Sequence, residues 1–328
     1  MKILLADKLS PVAIEAFKAI EGAEVINNPA LTAEELPANI ADIDILVVRS
    51  TKVTKATFEA GKKLGLVIRA GSGVNTIDVP CATEHNVRVV NCPGKNSVAV
   101  AELAMGLLLS LERRIPDCVA QLRAGKWNKK EFGKAQGLKG KTVGLIGTGM
   151  IGSELIKRLR GFDVDICAYE VSPASREKVA ELGQQLGITV EFCQSLLELA
   201  AKADIVSIHV PLLDSTRKMI NAEFFAAMKP GAILLNTSRA DIVDNEALLK
   251  ALDEKGLRCG LDVLPDEPGT AVADFDCALA KHPNCYASHH IGASTEQAER
   301  VTGLEAARLA KIFSEGKEAV PNCVNPVK

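Results

Sequence analysis

Three segments of the chain place reactive side chains where short apolar runs end. The segments are ILLNTSRADIVD, GLDVLPDEP and YASHHIGAST, and their candidates are Arg239, Asp266 or Glu267, and His289 or His290. The apolar runs are predicted strands. Because ligands bind at the carboxyl ends of strands in open α/β sheets, these groups are predicted to meet at one bound molecule.

An arginine, a carboxylate and a histidine together suit the oxidation of a 2-hydroxy acid. Histidine accepts a hydroxyl proton near neutral pH while hydride leaves for a nicotinamide. A carboxylate beside it favours the imidazolium form, and a guanidinium holds the substrate carboxylate and polarises the carbonyl. Each residue alone is more often a surface or structural group, so the prediction depends on their convergence.

A glycine motif predicts a dinucleotide site. The segment TVGLIGTGMIG has the GxGxxG spacing after an apolar strand and at the start of a helix. Its three glycines are Gly147, Gly149 and Gly152. They permit a tight turn, a close approach of the pyrophosphate and close helix packing. The helix N-terminus at Met150 and Ile151 offers amides and a positive dipole end to the phosphates.

The acid that ends the next predicted strand indicates which cofactor binds. Glu170 lies 18 residues after Gly152, where a carboxylate accepts hydrogen bonds from both ribose hydroxyls. It would repel a 2′-phosphate, which favours NAD over NADP. Arg176 lies close enough to weaken that preference.

Alternating strands and helices must position these groups. Predicted strands cover residues 3–6, 45–48, 67–70, 87–90, 142–146, 165–169, 205–209, 232–236, 259–263 and 286–288, and predicted helices include 98–111, 246–255 and 296–314. The pattern predicts two doubly wound, parallel-sheet α/β domains of the Rossmann or flavodoxin type with a cleft between them. We assign residues 1–94 plus 291–328 to a substrate-binding domain and 95–290 to an NAD-binding domain.

Composition narrows the class of protein. The 328 residues are 47% hydrophobic with a formal net charge of −2 and no basic stripe, so nucleic acid is not an expected partner. The longest apolar run, at 98–111, contains Glu102 and is shorter than the ~20 residues of a membrane span, so no membrane is expected either. Nine scattered cysteines without a CxxC pair fit reduced thiols in a cytoplasm. Cys285 and His289 lack a third ligand nearby in the sequence, so no metal site is expected.

The whole chain resembles the D-isomer-specific 2-hydroxyacid dehydrogenase family. NTSRADIVD matches the family's Asn-x-x-Arg-Gly-x-x-Val-Asp at all but one position. The family's Glu-Pro pattern selects Glu267 over Asp266, and its His-x-Gly pattern selects His290 over His289. The resemblance implies that Arg239 binds substrate, Glu267 partners the histidine and His290 is the acid/base.

The resemblance also implies further site residues and an assembly. Asp262 would bind the nicotinamide carboxamide. Other residues implied at the cofactor are Val210, Thr237, Ser238, Gly292 and Ala293. Family likeness further implies a homodimer, through the helix that starts near Asn96 and an arm around Trp127.

Two stretches resemble family members that act on a phosphorylated 2-hydroxy acid. In LVVRSTKVT and VIRAGSGVNTID, Arg49 and Arg69 would meet the phosphate, and the backbone amides of Ser72 and Gly73 the carboxylate. Lys129 or Lys130, in GKWNKKEF, would lend charge to the partner subunit's site. The alternative for the two arginines is a solvated surface pair.

Two other functions stay open. One is a glyoxylate or hydroxypyruvate reductase, and the other is an NAD-sensing scaffold like the related corepressors. Larger family members carry a C-terminal regulatory domain, and because residues 321–328 are too few for one, no feedback through it is expected.

Four positions depart from the family pattern. Ala240 and Asp241 replace a usual Gly-Gly, which would strain the loop if either position needs a positive φ. His289 replaces a usual proline, and Lys95 either adds charge near the substrate or faces solvent.

Overall fold

The computed structural model describes residues 1–270, 272–316 and 319–327. Its first 96 residues alternate strands and short helices. The strands are β1 (Lys2–Leu5), β2 (Glu24–Asn27), β3 (Ile45–Val48), β4 (Leu66–Arg69) and β5 (Arg88–Asn91). The helices are α1 (Pro11–Lys18), α2 (Leu36–Asn39), α3 (Lys55–Ala60) and α4 (Val79–Glu84).

The remaining elements repeat the alternation with longer helices. The strands are β6 (Thr142–Ile146), β7 (Asp165–Tyr169), β8 (Val190–Phe192), β9 (Ile205–Ile208), β10 (Ile233–Asn236), β11 (Arg258–Leu261) and β12 (Cys285–Ala287). The helices are α5 (Ser97–Arg113), α6 (Ile115–Arg123), α7 (Lys129–Phe132), α8 (Met150–Leu159), α9 (Pro173–Leu186), α10 (Leu196–Lys202), α11 (Ala222–Ala227), α12 (Asn245–Glu254), α13 (Ala278–Lys281) and α14 (Glu296–Glu315). Short 3-10 helices cover Arg160–Phe162 and Ala240–Ile242.

The chain divides into two compact units. Unit 1 comprises Met1–Asn96 and Ala293–Lys328, and its parallel sheet has the strand order β2-β1-β3-β4-β5. The last helix, α14, packs on α1 and β4 of this unit. The crossing is close, since a Cβ on Gly303 would lie 2.6 Å from the Cβ of Ala13. Unit 1 is therefore built from both ends of the chain.

Unit 2 comprises Ser97–Gly292 and contains a seven-stranded parallel sheet in the order β12-β11-β10-β9-β6-β7-β8. Both sheets reverse their winding direction beside the first strand of the unit, between β1 and β3 and between β6 and β9. Such a switch point leaves a crevice at the carboxyl ends of the strands. The predicted fold class is therefore confirmed, with a flavodoxin-type order in unit 1 and a Rossmann-type order in unit 2.

An aspartate joins the two central strands in each unit in the same way. The Asp44 carboxylate accepts a hydrogen bond from the backbone amide of Lys2 at 2.6 Å, and Asp204 accepts one from Thr142 at 2.8 Å. Each aspartate immediately precedes the strand that pairs with the first strand of its unit. These contacts satisfy a backbone donor at the entry of each sheet.

The predicted long elements are present with shifts of one or two residues at their ends. α5 has ten buried residues, as expected for the apolar run at 98–111. The edge strands β2 and β8 were absent from the sequence prediction, because their residues are partly or fully exposed and form no uninterrupted, buried apolar run. Within the described ranges, no helix combines the length and apolar character required to span a bilayer.

Candidate active site

Arg239, Glu267 and His290 line one pocket of about 470 Å³ in unit 2. Arg239 follows β10, Glu267 lies in the loop after β11, and His290 lies three residues beyond β12. These strands are neighbours in the sheet, so their carboxyl ends lie side by side. The structure therefore brings together the three groups singled out in the sequence.

Glu267 is held between His290 and the backbone. One carboxylate oxygen lies 2.7 Å from His290 Nδ1, and the other accepts a hydrogen bond from the Leu264 amide at 2.8 Å. This hydrogen bond to Glu267 raises the pKa of His290 above its ordinary value, although partial burial opposes it. Because Nδ1 is engaged, Nε2 is the ring nitrogen available to a substrate.

The Glu267 carboxylate stays ionised although it is half-buried. Burial raises its pKa, but hydrogen bonds from His290 and the Leu264 amide outweigh burial and leave the pKa below its ordinary value. Burial lowers the pKa of Arg239, opposed by the charge of Glu267. A guanidinium remains charged under such a shift, so the pocket holds a fixed positive charge next to a carboxylate and a titratable imidazole.

Asn236 fixes the path of the chain to Arg239. Its side chain donates to the Arg239 carbonyl at 2.9 Å and accepts from the Ser238 amide at 3.0 Å. Arg239 Nη1 in turn donates to the Ser238 carbonyl at 2.7 Å. The asparagine of the NTSR segment therefore has a structural purpose that sequence reasoning did not identify.

The replacements after Arg239 cause no backbone strain. Ala240 and Asp241 begin a 3-10 helix and lie outside the set of described residues with positive φ. Asp241 also pairs with Arg217 at 2.7 Å. A glycine is therefore not needed at either position.

Asp262 holds the His290 loop. Its buried carboxylate accepts hydrogen bonds from Ser288 Oγ at 2.7 Å and from the amides of Ile291 and Gly292 at 2.8 Å each. His290, between these partners, has a left-handed φ of 53°. The chain's own groups thus occupy both oxygens of this carboxylate, and its contact with a nicotinamide stays a prediction.

The glycine loop after β6 has the shape of a pyrophosphate cradle. A Cβ on Gly147, which has φ +87°, would lie 2.9 Å from the His209 carbonyl oxygen and 2.8 Å from a Val210 methyl. A Cβ on Gly152 would lie 2.5 Å from the Gly147 carbonyl oxygen. Around Gly149, by contrast, no heavy atom of the described chain comes within 4 Å of that position. Gly147 and Gly152 are therefore required by packing, whereas Gly149 leaves room for a ligand.

The amides that face this space belong to the first turn of α8. Met150 and Ile151 are its first two residues, and amides there have no partner within a helix. Such donors, together with the dipole of a ten-residue helix, suit a pyrophosphate.

Glu170 lies beside the same loop and is only 9% exposed. One oxygen accepts from the amide and the hydroxyl of Thr148, and the other accepts from the Ser172 amide. Burial raises the Glu170 pKa, but these bonds outweigh burial and keep it below its ordinary value. The carboxylate is thus ionised and retains lone pairs for ribose hydroxyls.

Arg176 lies beside Glu170. Its Nε donates to the Glu170 carbonyl at 2.6 Å, and its guanidinium lies 5.5 Å from the centre of the Phe192 ring. These contacts place the guanidinium next to Glu170, and its effect on the preference for NAD stays a prediction.

Two buried polar atoms at the ends of β9 and β10 have no hydrogen-bond partner among the described residues. They are the Thr237 hydroxyl and His209 Nδ1. Burial lowers the His209 pKa to about 4, so the ring is neutral, and its Nε2 lies 2.8 Å from Ser207 Oγ. Thr237 was identified in the sequence, whereas His209 was missed, although its place at the switch point was a usable signal. Unsatisfied buried groups beside a glycine loop fit a polar ligand.

The other predicted cofactor residues have different surroundings. Ser238 Oγ donates to the Val210 carbonyl at 2.5 Å, which joins the loops after β9 and β10. Gly292 donates to Asp262, while Ala293 lines a pocket in unit 1.

That pocket of unit 1, of about 420 Å³, carries a cluster of charge. Its charged lining residues are Lys8, Arg49, Arg69 and Glu299. Asp7 accepts hydrogen bonds from the amides of residues 49–51, which fixes the loop that carries Arg49. The Arg69 guanidinium lies over Gly71, where a Cβ would overlap it. Arg49 and Arg69 therefore lie at the carboxyl ends of the neighbouring strands β3 and β4.

The remaining predicted substrate residues are not among those that line the charged pocket of unit 1. Ser72 donates its hydroxyl to Asn96 at 2.9 Å, and Gly73 follows it in the same loop after β4. Lys129 is exposed in α7 of unit 2. Lys95 lies 3.6 Å from Glu305, so it is paired within unit 1.

Residues 105–292 match the family model described as D-isomer specific 2-hydroxyacid dehydrogenase, NAD binding domain. This segment covers more than half of the chain and falls within unit 2. The chain belongs to the D-isomer-specific 2-hydroxyacid dehydrogenases. The resemblance seen in the sequence is confirmed, and the glycine loop, Glu170 and the unsatisfied Thr237 lie in the family's NAD-binding domain.

Individual relatives differ in their substrates. The chain is 41% identical to a D-3-phosphoglycerate dehydrogenase of Methanocaldococcus jannaschii over 99% of its own length, but spans only 59% of that protein. It is also 41% identical to a hydroxypyruvate reductase of Thermotoga maritima, covering 96% of this chain and 98% of the relative. Among solved structures, an NAD+-bound 3-phosphoglycerate dehydrogenase of Entamoeba histolytica matches with a TM-score of 0.79 and 26% identity, covering 100% of this chain and 99% of that one.

The contact between Glu267 and His290 predicts a measurable titration. Glu267→Gln removes the carboxylate that favours the imidazolium, so the pKa of His290 is expected to fall. An NMR titration of the histidine ring resonances, assigned with a His290→Gln variant, measures this. Asp266→Asn is the matched control, because it removes the neighbouring charge at a position whose left-handed φ suits asparagine. An unchanged His290 titration in Glu267→Gln would refute the assigned pairing.

The geometry of the glycine loop predicts that alanine substitutions at different glycines have different effects, one on NAD affinity and another on packing. Gly149→Ala should leave the melting temperature near the wild-type value but weaken NAD binding about tenfold or more, because the methyl group enters space left for the ligand. Gly152→Ala should lower the stability by about 1–3 kcal/mol through overpacking. Calorimetric titration and thermal unfolding measure the two effects.

Gly161→Ala provides the control for that comparison. A Cβ there also meets open space in the described chain, yet the position lies outside the loop. Wild-type NAD affinity in Gly149→Ala would contradict the cradle.

Proposed function

We propose that this protein is an NAD-dependent dehydrogenase that oxidises 3-phospho-D-glycerate to 3-phosphohydroxypyruvate, the first step of serine synthesis. The observation that carries the choice of substrate is the charged pocket of unit 1. Three cationic side chains and one carboxylate line it, a net charge of +2. A distal phosphate balances that charge, whereas a small acid without a distal charge leaves it uncompensated.

The proposed reaction assigns one task to each residue of the trio. Arg239 binds the substrate carboxylate and stabilises charge on the oxygen at C2. His290 accepts the hydroxyl proton at Nε2 as the C2–H bond breaks, and Glu267 stabilises the resulting imidazolium. NAD, when bound, accepts the hydride from C2. Neutral His290 is needed for oxidation and charged His290 for reduction, so oxidation is favoured as the pH rises through the pKa of His290.

The distal end of the substrate is assigned to unit 1. Arg49 and Arg69 would bind the phosphate, because guanidinium groups form paired, charge-assisted hydrogen bonds with phosphate oxygens. Lys8 adds a third positive charge to the same lining. The amides of Ser72 and Gly73 are proposed to contact the substrate carboxylate.

A hydroxypyruvate reductase is the second candidate. The Thermotoga maritima relative with that name is covered over nearly its full length. In addition, Arg49 is already paired with Glu299 at 2.6 Å, which weakens the argument that this arginine awaits a phosphate. The two candidates share the trio and differ only in the use of the unit 1 pocket.

A substrate panel separates the two candidates. The expected result is a higher kcat/KM for 3-phosphohydroxypyruvate than for hydroxypyruvate or glyoxylate, with NAD(H) preferred over NADP(H). Arg49→Gln and Arg69→Gln should each lower kcat/KM for the phosphorylated acid by about ten- to a hundredfold, since each loses a charge-assisted bond. Lys52→Gln, an exposed neighbour outside the pocket lining, is the control for loss of charge.

More efficient turnover of an unphosphorylated acid would overturn the phosphoglycerate assignment in favour of the second candidate. The Arg49→Gln and Arg69→Gln variants would then retain nearly full efficiency on that acid.

A homodimer is the proposed assembly, with α6 in the interface. All nine residues of α6 are exposed or half-buried, and its exposed face is apolar at Ile115, Val119 and Leu122. Trp127, four residues after the helix, is 80% exposed. A contiguous exposed apolar surface of this kind is typical of a protein interface.

The dimer is expected to dissociate when this face becomes charged. Leu122→Glu should shift the sedimentation coefficient from that of a dimer to that of a monomer, because a buried carboxylate would lack a partner. Val12→Glu, at a valine that is 49% exposed on α1, is the matched control. A monomeric wild-type protein at micromolar concentration would end the proposal.

A further inference from the structure

Arg49 and Glu299 form an ion pair inside the charged pocket of unit 1. Arg49 Nη1 lies 2.6 Å from Glu299 Oε1, and the two side chains are 26% and 31% exposed. Arg49 Nη2 also lies 3.5 Å from Ser294 Oγ, at the limit of a hydrogen bond. The Glu299 carboxylate thus makes the shorter of these two contacts with Arg49, which lies in the loop after β3.

Hydrogen bonds hold the backbone at both Arg49 and Glu299. The Arg49 amide donates to Asp7 Oδ2 at 2.6 Å, so its Cα cannot shift without losing that bond. Glu299 lies in the first turns of the twenty-residue helix α14, whose N-cap Thr295 accepts from the Ala298 amide. The two backbones that carry the ion pair are therefore each held by contacts within unit 1.

An anion that binds Arg49 must share the guanidinium with Glu299. The two anionic groups would then lie within a few ångströms of each other, and their repulsion opposes binding. Partial exposure screens this repulsion without abolishing it. A phosphate carries about two negative charges and is affected more than a neutral hydroxymethyl end.

We propose that Glu299 is a specificity-determining residue, which competes with the distal anion of the substrate for Arg49. This inference rests on the proposed use of the pocket for a phosphate. The formal charges of the lining sum to +2 with Glu299 and to +3 when it is replaced by a neutral residue. Glu299 therefore limits the preference for a phosphorylated acid over its unphosphorylated analogue, and a single residue on α14 sets the balance between the two candidate substrates.

The test is the ratio of kcat/KM for 3-phosphohydroxypyruvate to that for hydroxypyruvate, measured in the full-length protein with NADH. Glu299→Gln keeps an acceptor for Arg49 and removes the charge, so the ratio is expected to rise about three- to tenfold. Glu299→Asp keeps the charge, so its ratio should stay near the wild-type value. Glu296→Gln, which removes an exposed carboxylate from the first turn of the same helix, is the matched control.

Two readouts separate competition from a purely structural role. The gain in Glu299→Gln should shrink as salt rises from about 0.05 to 0.5 M, because screening weakens the repulsion. It should also vanish in the Arg49→Gln background, since the two residues act on the same anion.

The outcomes also separate this inference from the proposed function. A ratio that falls or stays constant in Glu299→Gln, while Arg49→Gln still impairs the phosphorylated substrate, overturns the role of Glu299 alone. An Arg49→Gln variant that is unimpaired on that substrate overturns the phosphate assignment itself.

Discussion

The buried carboxylate of Asp262 accepts three hydrogen bonds from the loop that follows the neighbouring strand β12. Two of the donors are consecutive backbone amides directly after His290. Each buried donor left without an acceptor costs about 1–3 kcal/mol, so the loop has few alternative conformations. The left-handed φ of His290 is maintained by these bonds, and the close approach of Asp262 to the Gly292 Cα excludes a side chain there. The direction of the imidazole, and with it the pairing with Glu267, depends on this one carboxylate.

Polar side chains also accept hydrogen bonds from loop amides, or bridge backbone groups, at other strand ends. Asn236 bridges the chain from Ser238 to Arg239, Glu170 binds the Thr148 amide, and Asp7 binds three successive amides at Arg49. A parallel sheet ends with backbone groups that have lost their ladder partners, and these must be satisfied locally. Short polar side chains at the carboxyl ends satisfy them and at the same time fix the loops that carry the charged groups. The reactive edge is thus rigid because its backbone is satisfied by side chains.

Sequence reasoning succeeded where a pattern reflects burial or a fixed spacing. The apolar strands, the long α5, the glycine loop and the family of the chain follow directly from such patterns. It missed β2 and β8, whose partly exposed residues show no periodicity, and it missed the clamps made by Asp7 and Asn236. In such a clamp, a polar side chain accepts a hydrogen bond from a backbone amide that lies in a nearby turn or far away in the sequence. No spacing rule predicts such a contact. Asp262 shows the difference, because resemblance suggested a cofactor contact, which stays a prediction, whereas its hydrogen bonds to the His290 loop were visible only in the structure.

The charged side chains of the two pockets are held in place by different kinds of contact. In unit 2, Arg239 and Glu267 are held by backbone contacts and partial burial, and the ionised carboxylate is needed to stabilise a charged His290. Under the proposed function, a substitution in this set would alter the chemical step for every substrate. In unit 1, three cations are offset by one partly exposed carboxylate on a helix, and replacing it leaves the backbone clamp of Asp7 intact. The charges of the two pockets therefore belong to separate networks of contacts. Under the proposed function, the preferred acid would change through the loops and the helix of unit 1, while the trio stays the same.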